Sequence, residues 1–106
     1  MRDRILVHER EDDVGVAVAN LKAGEEADIL TLDGESAGRV ELAEDIPWGH
    51  KVALRELAVG KTVIEYGRAI GAAVRPIRAG AHVHIHNLKS LRWAGQERTS
   101  GRLEAS

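Results

Sequence analysis

The chain has 106 residues, enough for one domain with one modest core. Its formal net charge of −2, with both signs scattered, argues against nucleic acid as a partner, and the lack of cysteine excludes a disulfide framework, a thiolate zinc site and a cysteine nucleophile. Met1-Arg2-Asp3-Arg4 opens no apolar run of signal-peptide or membrane-span length, so the expectation is a cytoplasmic protein with no membrane partner.

The apolar residues are of restricted kinds. There is no Phe, one Tyr (Tyr66) and two Trp (Trp48 and Trp93), so the core must be built from Val, Ile, Leu and Ala. That composition favours a thin, strand-rich interior. Ile5 to His8 reads as a first strand, and the acidic run Glu9 to Asp13 as a loop. Val14 to Ala19 is short, apolar and β-branched, which predicts a second strand.

A weak repeat follows. Leu21-Lys22-Ala23-Gly24 is echoed by Ile46-Pro47-Trp48-Gly49, Leu57-Ala58-Val59-Gly60 and Ile77-Arg78-Ala79-Gly80. Apolar residues stand three positions after each glycine (Ala27, Val52, Val63, Val83), and two further on come Ile29, Leu54, Glu65 and Ile85. The pattern describes a tight turn feeding a strand, with glycine supplying backbone freedom at the turn. Four irregularly spaced copies predict a compact fold of short strands and many turns rather than a solenoid. Lys51 to Leu57 could instead form a single helical turn. Residues 94–106 are small and polar, so a domain over 1–93 with a disordered tail is expected.

Two stretches could carry chemistry. In Gly80-Ala81-His82-Val83-His84-Ile85-His86-Asn87, three histidines stand at alternate positions. On a strand they would share one face, with Val83 and Ile85 on the other. Imidazole ligates divalent ions such as zinc or iron and shuttles protons near neutral pH. Alternate strand residues lie ~6.5 Å apart, so two neighbours can pinch one ion and three cannot easily do so. In Pro47-Trp48-Gly49-His50-Lys51, a turn would present His50 and Lys51 together. An ammonium there can lower the imidazole pKa and bind a substrate carboxylate. A solvated turn beside a core-flanking Trp reads equally well. His8 taken alone is structural or merely exposed.

Asp45 to Leu54, Val63 to Gly71 and Gly80 to Leu88, in that order and spacing, resemble the SAF domain of the altronate/galactarate dehydratase family over roughly residues 5–93. The resemblance implies a β-clip fold. It also implies a large partner subunit that carries most of the active site and a divalent metal, Fe2+ or Mn2+. Gly49-His50-Lys51 and Tyr66-Gly67 look shared across the family, whereas the His-x-His-x-His-Asn run is similar to the altronate and sulfolactate branches and unlike the galactarate one. The spacing of His8 to Val16 is closer to the small subunit of (2R)-sulfolactate sulfo-lyase. The implied activity is that of a small subunit of a hydro-lyase dehydrating a sugar acid such as altronate, inactive in isolation. The alternatives are a sulfo-lyase subunit and a non-catalytic carbohydrate- or metal-binding module. On this resemblance His50, Lys51, His84 and His86 are the expected catalytic residues, Lys51, Tyr66 and Asn87 would bind a small hydroxy acid, and His82 with His84 would ligate metal. A homo-oligomer stays open.

Overall fold

The structure is a computed structural model that describes residues 3–84 and 86–90. The expected tail, Ile85 and Trp93 lie outside them. Nine strands and no helix are found among the described residues: β1 (Asp3–Val7), β2 (Val14–Ala17), β3 (Glu26–Thr31), β4 (Ser36–Glu41), β5 (Lys51–Ala53), β6 (Thr62–Glu65), β7 (Arg68–Ala73), β8 (His82–Val83) and β9 (Leu88–Ser90). The mostly β fold of short strands and turns is therefore the one formed. No helix is long and apolar enough to cross a membrane among these residues. One sheet has the order β4-β3-β1-β2-β5-β8, and a second has β6-β7-β9. All pairings are antiparallel except β1 with β3.

The interior divides into two apolar clusters. Ile5, Val7, Leu21, Ile29, Leu42 and Ile46 dominate the first. Val14, Leu57, Val63, Ile77 and Val83 dominate the second. Strands β2 and β5 serve both: Val14 and Ala53 face the second cluster, while Ala17 and Val52 face the first. A strand with cores on both sides has no polar face, so its sequence loses the alternation that marks a half-buried strand. This explains the difference from the helical turn expected at Lys51 to Leu57. Val52-Ala53-Leu54 is continuously apolar because it runs between two cores, and it forms β5 and a bend instead.

The four-fold repeat is one device used four times. Leu21 and Ile46 exchange both backbone hydrogen bonds at 2.8 and 2.9 Å, and so do Leu57 and Ile77. All four side chains are buried. The turn glycines, Gly24, Gly49, Gly60 and Gly80, have φ between 84° and 88°. Each of them donates its N–H to a backbone carbonyl in or next to a strand at 2.8 Å. At Gly80 a Cβ would also fall on the Glu41 carbonyl, whereas at Gly24 it would meet nothing within 4 Å. Gly24→Ala should cost about 1–2 kcal/mol from the left-handed backbone alone. Gly80→Ala should cost clearly more, read as the larger drop in urea midpoint.

The expected acidic loop between β1 and β2 holds two buried carboxylates, Asp12 and Asp13. Asp12 accepts the N–H groups of Glu9 (3.1 Å), Tyr66 (2.9 Å) and Gly67 (3.0 Å). Asp13 accepts Ile64 N–H at 2.9 Å and meets Arg55 and Lys61 at 3.4 and 3.5 Å. Through them the first hairpin is stapled to the β6–β7 turn, where Tyr66 is held at φ 59°. Asp12→Ala would leave three amides without their acceptor. It should destabilise the fold by ~3 kcal/mol or more, measured by chemical denaturation.

Candidate functional site

The turn ending at Gly49 delivers His50 to the start of β5, where its N–H bonds Pro47 O at 3.1 Å. Antiparallel pairing sets Lys51 opposite Val83 and Val52 opposite His82. That register carries His50 to the histidine run. His50 Nδ1 lies 2.8 Å from His82 Nε2. The His50 ring centroid is 5.0 Å from that of His82 and 5.4 Å from that of His84. The His82 and His84 rings stack at 5.5 Å and 9°, and His86 stands 5.7 Å from His82.

The run differs from the continuous strand expected of it. β8 ends at Val83, and Asn87 N–H bonds back to His84 O at 3.0 Å. The side chain of Asn87 fixes this turn. Its Oδ1 accepts His84 N–H at 2.9 Å and its Nδ2 donates to His82 O at 2.7 Å. A polar side chain that closes a local ring of this kind competes successfully with strand extension. Val83 is buried as anticipated, and His84 and His86 are exposed. The imidazoles thus gather by a turn and a cross-strand neighbour rather than by the pleat.

His82 is half-buried at the start of β8. Burial holds its pKa below the ordinary value, with smaller contributions in the same sense from His50, His84 and His86, and Glu44 pulls the other way. Glu44 also accepts the His82 backbone N–H at 3.0 Å.

A cavity of about 730 Å³ opens beside the cluster, lined among others by His50, Lys51, His84, Leu88, Lys89 and Ser90. Lys51 Nζ is 3.3 Å from Glu65 Oε1, a carboxylate 3% exposed. The carboxylate-binding role expected of Lys51 therefore has an internal competitor. Of the other expected residues, Asn87 is buried and committed to the backbone of the turn. Tyr66 does not line the cavity; its ring meets His8 edge-on at 4.9 Å. Trp48 does not flank the core, being 70% exposed. Glu65 and Lys89 were not anticipated. Glu65 had a signal, since it fills a position where the other copies of the repeat have Ile or Leu. Asn87→Ala should release the histidine turn, seen as faster amide exchange at His84 with a stability loss of ~1–3 kcal/mol.

Comparison with known proteins gives a consistent picture. Residues 3–91 match the family model described as altronate/galactarate dehydratase SAF domain. The chain is similar to the (2R)-sulfolactate sulfo-lyase subunit alpha of Chromohalobacter salexigens, with 43% identity over 89 residues, covering 83% of this chain and 95% of that protein. The subunit alpha from Paracoccus pantotrophus is 51% identical over 65 residues, 61% of this chain and 96% of its own length. The altronate dehydratase of Escherichia coli is 43% identical over 79 residues, 74% of this chain but only 15% of that enzyme. With all of the described residues inside the match, the chain belongs to the altronate/galactarate dehydratase SAF domain family.

Proposed function

We propose that this chain is the SAF subunit of a two-part lyase acting on a small hydroxy acid, with (2R)-sulfolactate the favoured substrate. One observation carries this reading: the chain aligns with two sulfo-lyase alpha subunits over 95% and 96% of their lengths. The resemblance read from the sequence names a sugar acid such as altronate first and (2R)-sulfolactate as the alternative, and the histidine run is common to both branches. Altronate, the second reading, keeps the support of the Escherichia coli altronate dehydratase, at 43% identity over 74% of this chain.

Both reactions are eliminations. A base takes the proton from the carbon next to the carboxylate, and the bond to the leaving group breaks on the neighbouring carbon. The leaving group departs with the bonding electrons as sulfite or, after protonation, as water. The resulting enol becomes a keto acid. In this chain His50 and His84 line the cavity and are the candidates to hold or move that proton. Lys51 and Lys89 both line the cavity and would bring positive charge to it, which suits a carboxylate or a sulfonate, with Lys51 exchanging its Glu65 partner for the substrate. Asn87 acts through the turn it ties. The roles expected for His86 and Tyr66 require the partner subunit, since neither lines the cavity here. In this reading the divalent ion, Fe2+ or Mn2+, is held mainly by the large subunit.

The test is to purify the chain with its large subunit and assay sulfite release from (2R)-sulfolactate beside keto-acid formation from altronate. Sulfite release by the complex, and by neither part alone, is the expected result. His84→Asn should lower it by ~100-fold or more if the imidazole transfers the proton. Turnover of altronate alone would select the second reading. A well-assembled complex that turns over neither acid would leave a binding module and sink the lyase reading.

A further inference from the structure

His50, His82 and His84 each offer an imidazole nitrogen, and these atoms all lie within 4.8 Å of one another. We propose that the three form a metal site on this chain itself, taking a first-row divalent ion of the zinc type. The proposal is independent of which acid the complex uses and of any ion in the large subunit; in the metal-bound state His50 and His84 hold the ion rather than the substrate proton.

The donor chemistry and the geometry agree. Three imidazoles are a ligand set suited to Zn2+, Ni2+, Cu2+ or Fe2+, and not to Mg2+ or Ca2+, which prefer oxygen. Around a tetrahedral ion with Zn–N of 2.0–2.1 Å, ligand nitrogens stand ~3.3 Å apart. The pair at 2.8 Å must therefore open by ~0.5 Å, and the third nitrogen, at most 4.8 Å away, must close by no more than ~1.5 Å. His84 is exposed, so its ring can make that movement.

The scaffold is tied at each ligand. The His50 N–H bonds Pro47 O at 3.1 Å, the His82 N–H bonds Glu44 at 3.0 Å and the His84 N–H bonds Asn87 at 2.9 Å. Three protein ligands leave one position of a tetrahedral ion open, the arrangement of catalytic rather than structural zinc sites. His50 and His84 both line the cavity, so the cluster borders the space where a small anion would enter.

The membership of His50 separates this site from a run of exposed histidines that traps metal adventitiously. It comes from 32 residues earlier than His82 and reaches the cluster only through the β5–β8 pairing. The experiment uses the untagged 106-residue chain, titrated with Zn2+ against a chromophoric chelator. One ion per chain should bind. Co2+ should give the intense visible absorption of a low-coordinate site. Zn2+ should shift the imidazole proton signals of His50, His82 and His84 and leave those of His8 in place. His50→Asn should weaken binding by ~100-fold, at least as much as loss of an outer-shell partner does elsewhere, while His8→Asn leaves it unchanged. If His50→Asn unfolds, the imidazole signals of the unaltered chain decide alone. Two outcomes overturn the proposal: no binding, which leaves only a hydrogen-bonded histidine pair, or signals moving at His84 and His86 with His50 unaffected.

Discussion

Asp12 and Asp13 are adjacent in the chain, face different partners and are both removed from water. Burying a carboxylate costs several kcal/mol unless its oxygens are matched by donors. Here the donors are backbone amides of Tyr66, Gly67 and Ile64, together with two cations. Those amides belong to β6 and the turn after it, far along the chain from the loop that supplies the acids. The β6–β7 hairpin is thereby fixed against the first sheet. Glu65, in the same hairpin, reaches Lys51 and so the floor of the cavity. The four buried polar residues among the described ones are Asp12, Asp13, Glu65 and Asn87, and each has a named partner. Polar burial in this small domain serves placement: two residues join the halves, one anchors the cavity lysine and one shapes the histidine turn.

Much of the fold was legible because it rests on local signals. A glycine at positive φ after two variable residues is a turn whatever surrounds it, and four such turns predicted short strands throughout. The chain's restricted apolar palette pointed the same way. What stayed hidden depended on partners distant in sequence. Nothing near Asp12 or Asp13 marks them as buried, since apart from Glu9 N–H their partners lie 42 to 55 residues ahead. The Val52-Ala53-Leu54 run was ambiguous because two cores erase a strand's period.

The candidate site was readable in identity and not in assembly. His50, His82 and His84 could each be singled out from residue type and spacing. A strand pleat cannot bring three alternate histidines onto one ion, and the structure meets that limit by another route. It draws the third imidazole from a neighbouring strand and bends the run with Asn87. The sequence held the clue in Asn87 itself, whose short amide favours turns over strands.

The parallel pairing of β1 with β3 and the antiparallel pairing of β1 with β2 put the first strand inside the larger sheet, while β8 forms one edge. Chain order in this sheet therefore runs from the middle outward. β1 has neighbours on both sides, and β8, with His82, is the last of the six strands in chain order. Without β8, β5 would be left as an open edge and His50 without its His82 and His84 neighbours. The pairing that completes the histidine cluster is thus the one that covers the edge of β5, so the chemistry of the site and the protection of the sheet stand or fall together.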